Sequence, residues 1–143
     1  MVDGRAPDRR LGSLTHHSAL VWNPGRVPRK DASAVMRAMV AAFNTGDVYD
    51  AAAAVHVDYV DHQGLGGAPM RGPTGFAAVV AAARSGYEEL EVTIEDLIED
   101  GDRAAARLRW SGIRSSGTRV DRETLEIIRV EGGKAIEHWG GRS

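Results

Sequence analysis

An α+β fold is predicted for this chain, and two features of the sequence carry the prediction. Apolar residues recur with a helical period up to about Gly86 and with a period of two beyond it, and the turn signals Asp100-Gly101 and Gly132-Gly133 divide the later part into a meander of long antiparallel strands. The 143 residues, 43% of them hydrophobic, suffice for one domain with a core and are too few for two ordinary ones.

Residues 1–30 mix Gly, Pro, Arg and Asp with scattered Leu and show neither period, so they read as an irregular N-terminal arm. Two readings stay open for it: a disordered leader, or a segment that Leu20, Val21 and Trp22 tie onto the body or onto a second subunit. The ordered domain is expected over residues 31–143. Asp31 can cap a helix in which Val35, Met39 and Phe43 repeat every four residues, Met36 and Val40 widen the stripe, and Gly46 closes the segment. Asp47 can cap a second helix through Val48 to Val55, and a short strand fits Asp58 to Gln63. The stretch Gly64 to Pro69 reads as a loop. Pro73 then sits where the first turn of a helix tolerates proline, and Phe76, Val79, Val80 and Ala83 mark the third helix.

Four strands complete the order. Leu90, Val92, Ile94 and Ile98 alternate with polar residues; Ala104, Ala106, Leu108 and Trp110 follow; a third run covers roughly Val120 to Val130; and Lys134 to Trp139 forms the last. Helices that bury one stripe must lie on the face of this sheet, and a strongly twisted sheet curls around a pocket, with Phe43, Trp110 and Trp139 as candidate apolar walls. Each Trp is equally at home as ordinary core packing.

Composition removes several classes of function. A formal net charge of −2, from 18 basic and 20 acidic residues, supplies no field to hold a nucleic acid or an anionic membrane. The absence of cysteine excludes disulfides, thiolate nucleophiles and Cys-based metal sites. Arg9-Arg10 lacks the apolar segment of an export signal, and no stretch approaches the roughly 20 apolar residues of a membrane span, so a soluble cytoplasmic protein is expected. Phosphate-loop, nucleophile-elbow and zinc-helix motifs are missing. His16-His17 have no further ligand at suitable spacing, so neither a metal nor a cofactor is expected. Arg103, Arg107, Arg109 and Arg114 read as a solvated face.

The run Met-Arg-Ala-Met-Val-Ala-Ala-Phe-Asn-Thr-Gly-Asp from Met36, followed by His56-Val57-Asp58-Tyr59-Val60-Asp61-His62, resembles the opening of SnoaL-like polyketide cyclases of the NTF2-like superfamily. Gly72-Pro73, Glu99-Asp100-Gly101-Asp102, Ile128-Arg129-Val130-Glu131-Gly132-Gly133-Lys134 and Glu137-His138-Trp139 continue the resemblance in order, over about Asp31 to Trp139. It implies a cone-shaped curved antiparallel sheet with three helices of the N-terminal half packed on it, a pocket for one apolar small molecule, and a homodimer through an exposed sheet face. It also implies ring closure in natural-product biosynthesis. The family's catalytic Asp on the last strand matches Gly140 here, and its His on the preceding strand matches Glu126. His138 is retained, and Asp61 matches a polar pocket position.

On strand parity, Glu126 shares its face with Ile128 and Val130, where a carboxylate is costly unless paired or protonated. His138 shares its face with Ile136 on the next strand, so an ion pair between Glu126 and His138 is expected, serving either proton transfer or structure alone. Asp61, the third candidate acid or base, lies with Tyr59 and His62 near the pocket mouth and offers another donor–acceptor set. Asp96 is in phase with Leu90, Val92 and Ile94, which makes it a candidate contact to substrate unless a bulge turns it outward. The leading expectation is a cyclase using Glu126, His138 and Asp61. The alternatives are an epoxide hydrolase or ring-opening enzyme on the same scaffold, and a non-catalytic binding or dimerisation module.

Overall fold

The computed structural model describes residues 31–142; the N-terminal arm, with His16-His17 and Leu20, Val21 and Trp22, lies outside the described residues. The elements follow the order α1 (Ala32–Thr45), α2 (Val48–Ala54), β1 (Val55–Leu65), β2 (Ala68–Arg71), α3 (Gly72–Ser85), β3 (Glu88–Asp100), β4 (Arg103–Ile113), β5 (Arg119–Glu131) and β6 (Lys134–Arg142).

Local chemistry sets the helix ends as the sequence predicts. The Asp31 carboxylate accepts from the Ala34 N–H at 2.7 Å, and Gly46, in the left-handed region at φ 70°, donates its N–H to the Ala42 carbonyl. Asp47 accepts from the N–H groups of Tyr49 and Asp50 and so starts α2. The apolar stripe of α1 (Val35, Met36, Met39 and Val40) is buried against the sheet, each large side chain contributing roughly 1.5–3 kcal/mol. Asn44 fixes the end of α1 to β3 by exchanging two hydrogen bonds with the backbone of Val92. Arg84 of α3 donates to the last carbonyls of α1, at Phe43 and Asn44.

The strands form one six-stranded sheet in the order β2-β1-β6-β5-β4-β3, with the helices packed on one face of it. This is the α+β cone that the resemblance implies, with one refinement: β1 runs parallel to β6, because the chain crosses from one end of the meander back to the other. The first strand is also longer than the segment 58–63 and takes Val55 from the end of α2. The expected loop after Gly64 contains β2. Gly66 and Gly67 both adopt positive φ (60° and 82°), as a two-residue hairpin turn requires, and Leu65 faces Ala68 across it.

Two bulges revise the face assignments. In β3, Ile94 faces Leu108 while Asp96 faces Arg107, so Glu95 is an extra residue and parity inverts. Leu97 then packs on the core, whereas Ile98, expected inside, is 69% exposed. In β6, Arg129 faces Glu137 while Val130 faces Ala135, so Ile136 is the extra residue and the parity linking it to His138 is interrupted.

Candidate active site

Between the helices and the concave face of the sheet lies a cavity of about 360 Å³. Its walls are mainly apolar. Met36, Met39, Val40 and Phe43 come from α1, Phe76 and Val79 from α3, and Leu108, Trp110 and Ile128 from the sheet. Phe43 is the hub of the aromatic wall, edge-on to Phe76 with centroids 5.8 Å apart and to Trp110 at 5.0 Å. The Trp110 indole N–H donates to Thr124 Oγ1 at 2.8 Å, which satisfies its one polar atom and fixes the ring.

Three charged side chains from three strands meet at one side of this cavity. Asp61 of β1 pairs in register with His138 of β6, and β6 lies beside β5, which carries Glu126. His138 Nδ1–H donates to Asp61 Oδ1 at 2.8 Å, and Nε2–H donates to Glu126 Oε2 at 2.5 Å. The side chains of Asp61, His138 and Glu126 are only 3%, 13% and 7% exposed, so the pairs are screened little by solvent. Asp61 is held further by the N–H groups of Gln63 and Gly64, both at 3.0 Å.

Burial by itself would discharge the imidazole, but its hydrogen bonds to Asp61 and Glu126, and their charges, outweigh that and raise His138 from 6.5 to about 9. Burial likewise pushes Asp61 upward, yet the hydrogen bond and charge of His138, with the two backbone donors, hold it below the ordinary carboxylate range. His138 is therefore an imidazolium at neutral pH. Its stabilisation of the fold is complete below about 6.5 and is lost as pH rises through about 9, whereas that of Asp61 is present above 3.8 and lost as pH falls below that value. A titration of the ring by ¹H–¹⁵N NMR is expected to show it doubly protonated at pH 7.5 and losing its proton near 9. A midpoint close to 6.5 would mean that the two carboxylates do not hold it.

Tyr59 is the fourth polar group. It is buried to 1% exposure, its ring lies edge-on to Phe76, and its hydroxyl has no hydrogen-bond partner. Burial, then the charges of Asp61 and Glu126, push the phenol far above its usual value, so it remains an O–H donor at any working pH.

The missing aspartate on β6 has a geometric counterpart. Gly140 lies directly across from Glu126, and a Cβ at Gly140 would overlap both Glu126 Oε2 and Gln63 Oε1. The glycine leaves the room that the Glu126 carboxylate occupies. A carboxylate thus stands beside position 140, carried by β5.

Of the residues expected at the site, Glu126, His138, Asp61, Tyr59, Phe43 and Trp110 line the cavity. Three do not. Asp96 lies on the outer face after the β3 bulge, 62% exposed and bonded to Arg107. His62 and Trp139 are neighbours in sequence of Asp61 and His138, so strand alternation sends them to the opposite face. There they stack on each other with centroids 5.1 Å apart, Arg103 lies over Trp139, and His62 pairs with Glu137. The arginines read as a solvated face are in part an ion-pair network, with Arg107 on Asp96 and Glu123, and Arg109 on Asp121. Arg122, Thr124 and Gln63 of the cavity wall were not singled out. Arg122 and Thr124 share the parity of Glu126 on β5, which was the available signal. Among the described residues no cluster of three or more His, Asp or Glu has the arrangement of a metal site, and no helix is long and apolar enough to cross a membrane.

A helix-covered, curved sheet enclosing an apolar cavity is the architecture of the NTF2-like class. The family model for the SnoaL-like polyketide cyclases matches residues 33–141, and the chain belongs to that family. It is 31% identical over 115 residues to the aklanonic acid methyl ester cyclase DnrD of Streptomyces peucetius, covering 73% of this chain and 79% of that protein. The cyclase DauD of Streptomyces sp. (strain C5), of the same description, is 30% identical over 115 residues, 73% of this chain and 71% of that one. Among solved structures, TsrD from Streptomyces laurentii superposes with a TM-score of 0.68 at 29% identity, covering 81% of this chain and 90% of that chain.

Proposed function

We propose that the chain is a cofactor-independent cyclase that closes a ring in a polyketide-like substrate by intramolecular aldol addition. The observation that carries this reading is the Asp61–His138–Glu126 relay on the wall of the apolar cavity, in a chain whose relatives are polyketide cyclases. Glu126 is the base. Its Oε2 is engaged by His138, and its Oε1 has no hydrogen-bond partner among the described residues, which leaves that oxygen for a proton of the substrate.

The carboxylate takes a proton from the carbon between two carbonyl groups, and the resulting enolate carbon forms a bond to the accepting carbonyl carbon as its C=O π bond breaks. Tyr59 donates a hydrogen bond to the oxygen on which charge develops, and Glu126 returns the proton to that alkoxide. No redox equivalent or second reactant is needed, and substrate and product have the same mass. His138 and Asp61 are positioning residues: they fix one carboxylate oxygen of Glu126 and, in so doing, aim the other.

The relatives' name supplies the first substrate to try. Incubated in oxygen-18 water with aklanonic acid methyl ester, the protein is expected to give a product of unchanged mass with no label. A labelled product 20 mass units heavier would assign it to the hydrolases, since the same relay can activate water. Tight binding with no turnover would make it a binding module.

A further inference from the structure

We propose that Thr124 is a carbonyl-binding residue of the cavity, whose hydroxyl donates to a neutral ketone or ester oxygen borne next to the carbon that reacts at Glu126. The inference rests on the reading of this cavity as a ring-closing site and deepens it, by naming the group through which the nucleophilic half of the substrate is recognised.

Thr124 is 3% exposed, lines the cavity, and stands two residues before Glu126 on β5, hence on the same face. A hydroxyl donates one hydrogen bond and accepts up to two. Thr124 Oγ1 accepts from the indole N–H of Trp110 at 2.8 Å, and nothing among the described residues accepts from its O–H. A buried donor is therefore left unspent on the cavity wall. The Trp110 bond also directs it, because an oxygen that receives an N–H on one side presents its own hydrogen on another, and the incoming bond strengthens the outgoing one. Trp110 is in turn held by Phe43, edge-on at 5.0 Å, and by the Arg122 guanidinium, 5.3 Å from its centroid. The donor is thus fixed before any ligand arrives.

Charge on the wall points to a neutral ligand. Its ionised side chains are Asp61, Glu126, His138 and Arg122, two of each sign, so a ligand needs no charge of its own to balance them. A hydroxyl reads a neutral acceptor, and esters and ketones supply one.

The position of Thr124 assigns its oxygen. The Cα atoms of Thr124 and Glu126 are about 7 Å apart along β5, a span bridged by a C–C=O unit with one contact at each end. Tyr59 lies on the other side of Glu126, on β1, two strands away and about 10 Å across the sheet. Two neutral donors therefore flank the base, one for each oxygen of an aldol addition. When Glu126 takes the proton, the C–H electron pair moves into the adjacent carbonyl and charge collects on its oxygen. Thr124 binds that enolate oxygen more strongly than the ketone, and Tyr59 serves the oxygen of the accepting carbonyl.

The test uses 9-fluorenone and fluorene, planar neutral probes that differ by one carbonyl in place of a methylene, with binding to the full chain measured by equilibrium dialysis at pH 7.5. The wild type is expected to bind fluorenone at least fivefold more tightly and to shift its carbonyl stretch to lower frequency. Thr124→Ser should keep both effects. Thr124→Val should lose both while its affinity for fluorene, the measure of an intact cavity, stays the same. Since Thr124→Val strands the indole N–H, a second pair repeats the comparison without that orphan: Trp110→Phe keeps the preference and Trp110→Phe/Thr124→Val loses it. Equal affinities in the wild type, binding of neither probe, or effects that survive Thr124→Val and vanish only in Tyr59→Phe would each overturn the proposal. In ring closure, Thr124→Val should lower turnover by about 10–10²-fold with the His138 titration unmoved, and unchanged turnover would remove Thr124 from the enolate oxygen. Fluorenone has no enolisable hydrogen, so a wild type that binds it as described yet closes no ring would keep the carbonyl site and sink the cyclase reading instead.

Discussion

Glu126→Gln is expected to lower ring-closing turnover by roughly 10²–10⁴-fold while leaving the protein folded, the range lost when a positioned general base is removed. Gln has the size of Glu, and its amide oxygen can still accept from His138 Nε2–H, so the packing around the buried position is kept. Only the capacity to take a proton from carbon disappears. The same substitution removes one of the two carboxylates that raise His138, so the imidazole should titrate lower than in the wild type while still gaining support from Asp61. Turnover, thermal melting and the NMR titration together make the result interpretable. Turnover within threefold of wild type, in a protein with a normal melt, would remove Glu126 from the role of base.

Gly140→Ala should be nearly as damaging, although the added group is a single methyl. The methyl occupies the space of Glu126 Oε2 and Gln63 Oε1. Gln63 sits at the exposed end of β1 and can swing away, but the Glu126 carboxylate is tied to His138 and can yield only by breaking that bond. Overpacking of this kind costs about 1–3 kcal/mol. A displacement of the base by about 1 Å is enough for a loss near 10²-fold in turnover. The expected signature is a fall in the His138 titration midpoint together with the loss of activity, since both follow from the carboxylate moving off the imidazole. Gly141→Ala, where a Cβ would meet nothing, is the control and should leave both readouts unchanged. If Gly140→Ala leaves the midpoint and the rate intact, the glycine does not make room for Glu126.

Much of this architecture was legible in the residues. The caps Asp31 and Asp47, the closing Gly46 and the four-residue repeat of α1 are local devices: a side chain meets a backbone group two or three positions away, so sequence spacing is spatial spacing. The strands of the meander were legible for the same reason, since alternation persists along them and the turns at Asp100-Gly101 and Gly132-Gly133 join two of the pairs. Within the site, parity placed Glu126 on an apolar face, and the hairpin at Gly132-Gly133 brought His138 beside it. The bulges at Glu95 and Ile136 were not legible, because one extra residue in a ladder is decided by what the partner strand and the core require. For Asp96 the two faces had therefore stayed open, and the bulge at Glu95 decided for the outer one. His62 and Trp139 were misplaced for a simpler reason: each was grouped with a site residue adjacent in sequence, and adjacency on a strand means opposite faces.

The sequence by itself determined the order of helices and strands, the apolar cavity walls and the supply of acids and bases, because these depend on periodicity and on side-chain type. Tertiary structure alone decided which of those groups meet. The parallel pairing of β1 with β6 brings Asp61 to His138 across 77 positions of chain, and the close approach of Gly140 to Glu126 leaves room for a carboxylate that β5 carries. Both depend on distances between strands that no local pattern encodes.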